Sequence, residues 1–462
     1  MTTPNPEAAT DGTVDPGTPT AQPSNQDLVP DPAVEVNIDD VIDAAAQLLS
    51  QRLGGTQKIS DYQRLQGSGQ AIVLRIKLAP TPYFDARTAV VKYIVDTGSS
   101  LDKILLMREI VAYQFTTSLQ TEVRPGPYLI AHDLDQRLLI ISDSGDGDTF
   151  AQLLESAVPG LRIEILRSLG EAIGKMHAST AMLEANFDIL TRRMMQKTAM
   201  MSQEFNRSRR LLSIAIPVGA ELLHRHGLPL PPVVAEFAAD AQRRLTHGQH
   251  RAFTPFGITP DNIIVADRPQ FLDYENAGFY DCAFDLASVI AGFPQYLLSS
   301  EISDDETDVF IDAWVPEVAK LWPNVQNRDR LHARIITALV GWSLMSLCLL
   351  NWRLLALTDF EGQDELADLD AITGLSPDAI AEHLFTSSCT ILGKGPVNDA
   401  FGALEPEYAQ WREFQLLALQ DLIETFEALA RFARREGDTR FPVVAAYVDQ
   451  VLEALRGFND GN

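Results

Sequence analysis

Apolar and polar positions divide the chain into a region of short strands and a longer region of helices. Alternating or continuous apolar runs bounded by turn residues predict strands at 71–79, 88–95, 127–134 and 137–143. Helical spacing predicts helices at 38–53 and 99–119. A further strand is expected before Gly67. The order of three strands, one helix and two strands is that of a small mixed lobe.

From residue 150 onward the pattern is mostly helical. The segment "LRIEILRSLGEAIGKMHAST" places Leu161, Ile165, Leu169, Ile173 and Met176 on one helix face. More helices are expected at 184–248 with a break at 227–232, at 307–358, at 406–436 and at 441–458. The pattern as a whole predicts an α+β protein with a small mixed lobe at the N-terminus and a large helical lobe at the C-terminus.

An uncharged apolar run at 335–352 is near the lower length limit for a membrane-spanning helix. Arg334 and Arg353 bracket it, and Thr337, Gly341 and Asn351 lie within it. We interpret it as a buried helix of the C-terminal lobe and expect no membrane span.

Composition restricts the environment and the partners. The chain has 462 residues and a net charge of −26, so it gains nothing from counterion release on nucleic acid, and no nucleic-acid partner is expected. The three cysteines, Cys282, Cys348 and Cys389, lack metal or disulfide spacing, which fits a reduced, cytoplasmic setting.

Three regions are expected along the chain. Residues 1–34 are rich in Pro, Thr and acidic residues, have no signal-peptide pattern, and predict a disordered tail. Residues 35–145 form the N-terminal lobe, and 146–462 form the helical lobe with its chemically richest stretch at 253–290.

The predicted N-terminal lobe contains candidates for binding phosphate. Gly67 and Gly69, before a strand, would let backbone amides approach phosphate oxygens, although a plain hairpin turn has the same pattern. Lys92 lies in an apolar strand, and Glu109 lies in the helix that follows. A strand lysine paired with a helix glutamate holds ATP phosphates in kinases. The alternative is a lysine at a strand edge in solvent and a surface glutamate.

Asn262 and Asp273 are the candidate metal ligands. Asn262 precedes an apolar strand and Asp273 follows the next one, with a tight turn between the strands. The hairpin would bring the two side chains together, and Mg²⁺ favours a few hard oxygen ligands. Turn formers flanking a hairpin give the same pattern, but the order of the wider motifs favours a metal site.

The sequence resembles the aminoglycoside phosphotransferase and choline kinase family, which has a two-lobed, protein-kinase-like fold. The similarity covers roughly residues 60 to 295. "LGEAIGKMHA" resembles the helix before the catalytic loop, and "TPFGITPDNIIV" resembles that loop, whose pattern is H-G-D-x-x-x-x-N. "FLDYENAGFYDCAFDLASVI" resembles the D-x-E…G-D-P-x-x-D-L-A segment.

The resemblance implies roles for individual residues. Lys92 would hold ATP phosphates, Glu109 would position Lys92, and Asn262 and Asp273 would bind Mg²⁺. Asp285 would support the catalytic loop through backbone amides. The segment at 141–145, which contains Asp143, would be the hinge that offers backbone groups to adenine.

The catalytic loop departs from the family pattern. H-G-D becomes Pro255, Phe256 and Gly257, so the aspartate that accepts the proton of the acceptor hydroxyl is absent. Positioned acid–base groups contribute roughly 10²- to 10⁴-fold to rate, so the change predicts a slow enzyme or an inactive one. Asp261, Thr259 and Thr254 are the nearest polar residues that could substitute.

Three hypotheses follow. The first is a pseudokinase or weakly active phosphotransferase that binds ATP and Mg²⁺ and acts through a small-molecule acceptor or a protein partner. The second is an active small-molecule kinase with a displaced base. The third is an interaction protein that keeps the fold without nucleotide. Retention of Lys92, Glu109, Asn262 and Asp273 favours the first two.

Overall fold

The structure is a computed structural model. It describes residues 36–65, 71–80, 86–96, 100–196, 201–297, 301–356, 375–387, 390–393, 406–435 and 437–461. The tail expected at 1–34 lies outside these segments, as do Gly67 and Gly69 of the expected phosphate cradle and Cys389.

Five antiparallel strands form the sheet of the N-terminal lobe, in the spatial order β1-β2-β3-β5-β4. The strands are β1 (Ile59–Leu65), β2 (Ala71–Leu78), β3 (Thr88–Ile94), β4 (Leu129–Asp133) and β5 (Leu138–Ser142). The helix α2 (Ser100–Thr117) connects β3 to β4. The expected order of strands and helix is therefore confirmed.

The two faces of this sheet have different partners. On one face, Leu74 and Val91 are buried in a cluster with Val41 and Leu49 of α1 (Ile38–Leu53). The other face packs toward α2 and the C-terminal lobe, where Leu139 joins the larger core. Successive strand residues point to opposite faces of a sheet. Val91 therefore faces α1, and the next residue, Lys92, faces α2.

Helices build most of the C-terminal lobe. They are α3 (Phe150–Leu154), α4 (Leu161–Thr180), α5 (Glu184–Gln196), α6 (Met201–Arg225), α7 (Pro232–Thr246), α8 (Ala283–Ile290), α9 (Asp304–Val318), α10 (Arg328–Ala356), α11 (Pro377–Thr386), α12 (Pro406–Ala433) and α13 (Phe441–Gly461). The small mixed lobe and the large helical lobe confirm the predicted α+β class.

The packing of α4 against α9 requires glycine at the contact. A Cβ atom at Gly170 would lie 2.4 Å from the carbonyl oxygen of Phe310, so no larger residue fits without moving one helix. This close approach brings Trp314 of α9 beside His177 of α4.

Two small sheets carry the central stretch of the C-terminal lobe. β7 (Arg251–Thr254) pairs with β10 (Gly278–Asp281), and β8 (Ile263–Val265) pairs with β6 (Asp148–Thr149) and β9 (Pro269–Phe271). The turn between β8 and β9 is the tight hairpin expected from the sequence. A short 3-10 helix, Pro260–Asn262, leads into β8.

The helical region expected at 307–358 is two helices. It divides because Pro316 lies in the last turn of α9 and Pro323 begins a 3-10 turn before α10. One stretch in the described residues, Arg328–Leu355, is long and apolar enough to cross a membrane, but 83% of its most apolar window is buried by the rest of the protein. That burial agrees with a core helix of the C-terminal lobe.

Candidate functional site

Lys92 and Glu109 form an ion pair at the cleft between the lobes. Lys92 Nζ lies 2.9 Å from Glu109 Oε2, and the exposed fractions of the two side chains are 15% and 2%. β3 supplies the lysine on the sheet face that meets α2, and α2 supplies the glutamate from its buried side. The alternative of a lysine at a solvent-exposed strand edge is excluded by this burial.

Lys92 also contacts Asp273, one of the two predicted metal ligands. Its Nζ lies 2.7 Å from Asp273 Oδ1, so one ammonium bridges carboxylates from both lobes. Asn262 Nδ2 donates to Asp273 Oδ2 at 3.3 Å. The structure thus brings together Lys92, Glu109, Asn262 and Asp273, the predicted phosphate and metal residues that lie within the described part of the chain.

The β8–β9 hairpin sets the position of Asn262 and Asp273. Ile263 pairs with Phe271, and the amide of Leu272 donates to the carbonyl of Asn262 at 2.8 Å. Asp273 has a φ of 57°, in the left-handed region that residues with side chains seldom adopt. Such strain persists where surrounding structure fixes it, and it is common at functional sites.

Glu275 adds a third carboxylate that the site assignment from sequence did not include. It lines the cleft two residues after Asp273. The charge of Asp273, together with burial, raises the pKa of Glu275 to about 8. The D-x-E spacing in the sequence was the available signal for this residue.

The site holds more negative than positive charge. Burial raises the pKa of Glu109 to about 7, and the ammonium of Lys92 offsets part of that effect. Burial lowers the pKa of Lys92, but the carboxylates of Asp273 and Glu109 outweigh burial and raise it. Lys92 therefore lies among three acids, and the charge of Arg108 also acts on Glu275.

The donor set fits Mg²⁺. Asp273 offers carboxylate oxygens and Asn262 offers an amide oxygen, and Mg²⁺ is commonly held by one or two carboxylates with water and phosphate as its other ligands. Among the described residues there is no cluster of three or more His, Cys, Asp and Glu side chains with metal-binding geometry. A closed site made only of protein ligands is therefore absent from that part of the chain.

The loop at 255–257 is held by aromatic packing. The Phe256 ring is 4.4 Å from that of Tyr280 and 5.4 Å from that of Trp342, measured between centroids, and Phe256 is 3% exposed. Its φ is 50°, and that of Gly257 is 88°. Sequence reasoning missed this role of Phe256, because its partners lie 24 and 86 residues farther along the chain.

Gly257, where the resemblance would place an aspartate, has free space around it. A Cβ atom built there would meet no atom within 4 Å, so space is available for a side chain, although the φ disfavours one. Asp261 and Thr259 line the same cleft, whereas Thr254 is buried in β7. Burial raises the pKa of Asp261.

Asp285 has a different partner from the one that the resemblance implies. Its Oδ2 lies 3.0 Å from His177 Nε2, in place of backbone amides of the loop. Trp314 Nε1 donates to His177 Nδ1 at 3.0 Å, so Nε2 carries the proton that is given to Asp285. All three side chains are buried, and they tie α4, α8 and α9 together behind the loop.

Asp143 lies at the expected hinge and is held by Arg75. Arg75 Nε is 3.0 Å from Asp143 Oδ2, and the amide of Gly145 donates to Asp143 Oδ1 at 3.0 Å. These contacts fix the backbone of 143–145 between the lobes and leave the side chain of Asp143 occupied by protein.

One cleft of about 630 Å³ is lined by Lys92, Glu109, Phe256, Gly257, Asp261, Asn262, Asp273 and Glu275. Asp143 and Asp285 are not among its lining residues. One part is bounded by Lys92, Asp273 and Glu275. The other is bounded by α10, with Trp342, Met345, Leu349 and Trp352 on one helix face. The cleft is large enough for a ligand of the size of a nucleotide or a drug.

No family model matches the chain, and no curated protein matches it. Among solved structures, an ADP-bound aminoglycoside phosphotransferase is 11% identical, with 74% of this chain and 99% of that one covered and a TM-score of 0.40. A choline kinase from Cryptosporidium parvum Iowa II is 10% identical, with 75% and 94% covered and a TM-score of 0.39. A choline/ethanolamine kinase family protein from Mesorhizobium loti is 15% identical, with 80% and 99% covered and a TM-score of 0.38.

These similarities concern the fold, because the identities and TM-scores are low. The architecture is the two-lobed, protein-kinase-like fold that was expected from the sequence. The roles of individual residues rest on the contacts described above.

Proposed function

We propose that this chain is a nucleotide-binding protein of kinase-like fold that lacks the usual base for the acceptor hydroxyl. It is then a pseudokinase or a slow small-molecule phosphotransferase. The observation that carries the proposal is the position of Lys92 Nζ, 2.9 Å from Glu109 and 2.7 Å from Asp273 in the cleft. A buried lysine held between two lobes in this way is suited to contact phosphate oxygens.

Each remaining residue has a role in this proposal. Asn262 and Asp273 would hold Mg²⁺, and backbone groups near Asp143 would contact adenine. Bound Mg²⁺ would supply positive charge to the phosphates. Glu109 keeps Lys92 directed into the cleft, and the β8–β9 hairpin keeps Asn262 and Asp273 adjacent.

Charge makes the binding of nucleotide dependent on the metal. Three acids face one lysine, and the chain carries a net charge of −26. Free ATP would bring additional negative charge against this field, and a divalent cation would neutralise part of both. We therefore expect ATP to bind with Mg²⁺ and to bind poorly without it.

The missing base determines the expected rate. Gly257 has no side chain to accept a proton, and loss of a positioned base costs roughly 10²- to 10⁴-fold. Electrostatic stabilisation and positioning are the larger contributions in phosphoryl transfer, and their residues are retained. The proposal thus predicts slow turnover or none, with nucleotide binding preserved.

A second candidate function is an active kinase with Asp261 as a displaced base. Asp261 lines the cleft that contains Gly257, and its Oδ1 has no hydrogen-bond partner among the described residues. Measurable phosphorylation of an acceptor that is lost in Asp261→Asn, with Mg²⁺–ATP binding retained, would favour this candidate over the pseudokinase.

The test is thermal unfolding of the full chain with millimolar ATP, with and without Mg²⁺. A ligand that binds only the folded state stabilises it by about 2.7 kcal/mol at a hundredfold excess over Kd. We expect a shift that requires Mg²⁺ and disappears in Asp273→Ala. Asp267→Ala is the matched control, because Asp267 is exposed at the turn of the same hairpin.

Two outcomes would contradict the proposal. No shift under any condition would favour an interaction protein that keeps the fold without nucleotide. An equal shift in Asp273→Ala would mean that nucleotide binds elsewhere or without the proposed metal ligand.

A further inference from the structure

The part of the cleft bounded by α10 is apolar and aromatic. Trp342, Met345, Leu349 and Trp352 follow one another at spacings of three, four and three residues, so they share one face of the helix. Trp342 stacks on Phe256 with an angle of 23° between the rings. The loop with the missing base therefore joins this wall directly.

One cation lies at the far end of the same helix face. Arg353 lines the cleft, and its guanidinium carbon is 4.8 Å from the centroid of the Phe414 ring. In the described part of the chain, no carboxylate forms an ion pair with Arg353 within 4.0 Å. Arg353 is half-buried, and besides the Phe414 ring its charge has one acidic neighbour, the carboxylate of Asp421.

The nearby Asp421 is already engaged with backbone. Its carboxylate oxygens accept from the amide of Gln295 at 2.9 and 3.0 Å. Burial raises the pKa of Asp421 to about 7, which reduces the negative charge that it offers to Arg353 near neutral pH. Asp421 therefore supports the loop at 293–297 more than it neutralises the guanidinium.

That loop is strained where it borders the cleft. Phe293, Gln295 and Leu297 have φ values of 63°, 73° and 68°, and Pro294 and Gln295 line the cleft. Three left-handed residues within five positions store free energy that the hydrogen bonds to Asp421 offset. The segment 293–297, which borders the cleft, is thus held in place by hydrogen bonds to Asp421.

We propose that this part of the cleft binds an apolar organic anion, with its carboxylate or phosphate on Arg353 and its apolar body along the face from Trp352 to Trp342. The inference deepens the proposed function, because it names the class of the second ligand beside the nucleotide. Arginine matches carboxylate and phosphate geometry, and an aromatic wall binds an apolar body.

The helix also sets the length of the ligand. Positions 342 and 353 are separated by about 16 Å along a helix that rises about 1.5 Å per residue. A ligand anchored at Arg353 would therefore need an extended body to reach Phe256 and Gly257. An extended alkyl chain of about ten carbons covers most of this distance, whereas a compact polar acceptor does not.

The first experiment measures binding to the full chain by isothermal titration calorimetry, with probes that share one tail. The probes are decanoate, decyl phosphate, decan-1-ol and decyltrimethylammonium, each below its aggregation concentration. We expect the anions to bind with one-to-one stoichiometry at least about tenfold more tightly than the alcohol, given the strength of charge-assisted hydrogen bonds. A preference between the two anions identifies the headgroup.

The second experiment tests Arg353 itself. Arg353→Met should weaken decanoate binding by about tenfold or more and leave decan-1-ol unchanged, with Arg353→Lys between the two. Arg330→Met is the matched control, because Arg330 lies on the same helix, is exposed and does not line this cleft. If Arg353→Met does not fold, the selectivity among the four probes on the unaltered chain still decides the inference.

Several outcomes would overturn the inference. They are equal affinity for the alcohol or the cationic probe, undiminished decanoate binding in Arg353→Met, or no binding of either anion at millimolar concentration. Loss of the Mg²⁺–ATP shift in Arg353→Met would assign Arg353 to the nucleotide and overturn this inference alone. Conversely, selective decanoate binding without any nucleotide shift would support it while the proposed function fails.

Discussion

Replacing Asp273 by Asn is expected to change how the stability of the protein depends on pH. The charge of Asp273 and, after it, burial raise the pKa of Glu275 from 4.5 to about 8. An acid with a raised pKa in the folded state takes up protons on folding. Stability is therefore full below the unfolded pKa and decreases as the pH rises from about 4.5 toward about 8.

The magnitude follows from this linkage. One pKa unit corresponds to about 1.4 kcal/mol. Neutralising Asp273 removes the first cause of the raised pKa of Glu275 and also one cause of the raised pKa of Glu109. If the pKa of Glu275 falls by one unit or slightly more, the stability of Asp273→Asn relative to the unaltered chain should improve by about 1–2 kcal/mol between pH 5 and pH 8.

The assay is thermal and urea unfolding of both chains without nucleotide, at intervals between pH 5 and pH 8. The comparison uses the change in the stability difference with pH, because the variant also weakens the 2.7 Å contact with Lys92 at every pH. Asp267→Asn serves as the control and should give a flat difference, since Asp267 is exposed at the hairpin turn.

A flat or falling difference for Asp273→Asn would refute the reasoning. It would mean that the charge of Asp273 does not raise the pKa values of Glu275 and Glu109 in the folded protein. The same variant should lose the Mg²⁺-dependent nucleotide shift, so Asp273 would make the stability of the empty protein fall more steeply with rising pH and would be required for its binding function.

Three further predictions concern the surroundings of the site. Phe256→Ala should lower the free energy of unfolding by about 3–5 kcal/mol in urea titrations, because it empties an aromatic cluster; a loss below about 1 kcal/mol would contradict the packing. Lys92→Met should abolish the nucleotide shift and should destabilise the empty protein more at pH 8 than at pH 5.5, because ionised Glu109 and Asp273 lose their cation; equal losses at the two pH values would contradict the charge balance. Trp314→Phe should cost about 1–3 kcal/mol and alter the His177 imidazole signals in NMR, because Nδ1 of His177 loses its donor; unchanged signals would contradict the tautomer assigned here.

Local pattern indicated, with alternatives left open, that Lys92 lies with Glu109 and that Asn262 lies with Asp273. The alternation of β3 places Val91 and Lys92 on opposite faces, and the β8–β9 hairpin brings Asn262 to Asp273 over a short separation in sequence. Both depend on periodicity or turn chemistry, which can be recognised in a single sequence. Asp143 was placed at the hinge by resemblance, but its ion pair with Arg75 could not be expected from any local rule.

Contacts between distant segments were not predictable in the same way. His177 meets Asp285 and Trp314 across separations of 108 and 137 residues, and these contacts depend on how closely α4 approaches α9. The position of Arg353 on the cleft depends in turn on the placement of α10. Helical spacing indicates that Trp342 and Arg353 share a face, but it does not indicate what that face borders.

The loop at 255–257 combines positive φ values with tight aromatic packing. Phe256 and Gly257 both have positive φ values, and Phe256 is anchored by Tyr280 and Trp342. An aspartate placed at 257 would have space but would have to adopt a φ of 88°, which costs free energy for any residue with a side chain. The aromatic anchor holds the loop in that conformation, so an aspartate at 257 would be strained even though space is available. The same anchor forms one end of the α10 wall, so Phe256 also forms part of the apolar surface that leads to Arg353.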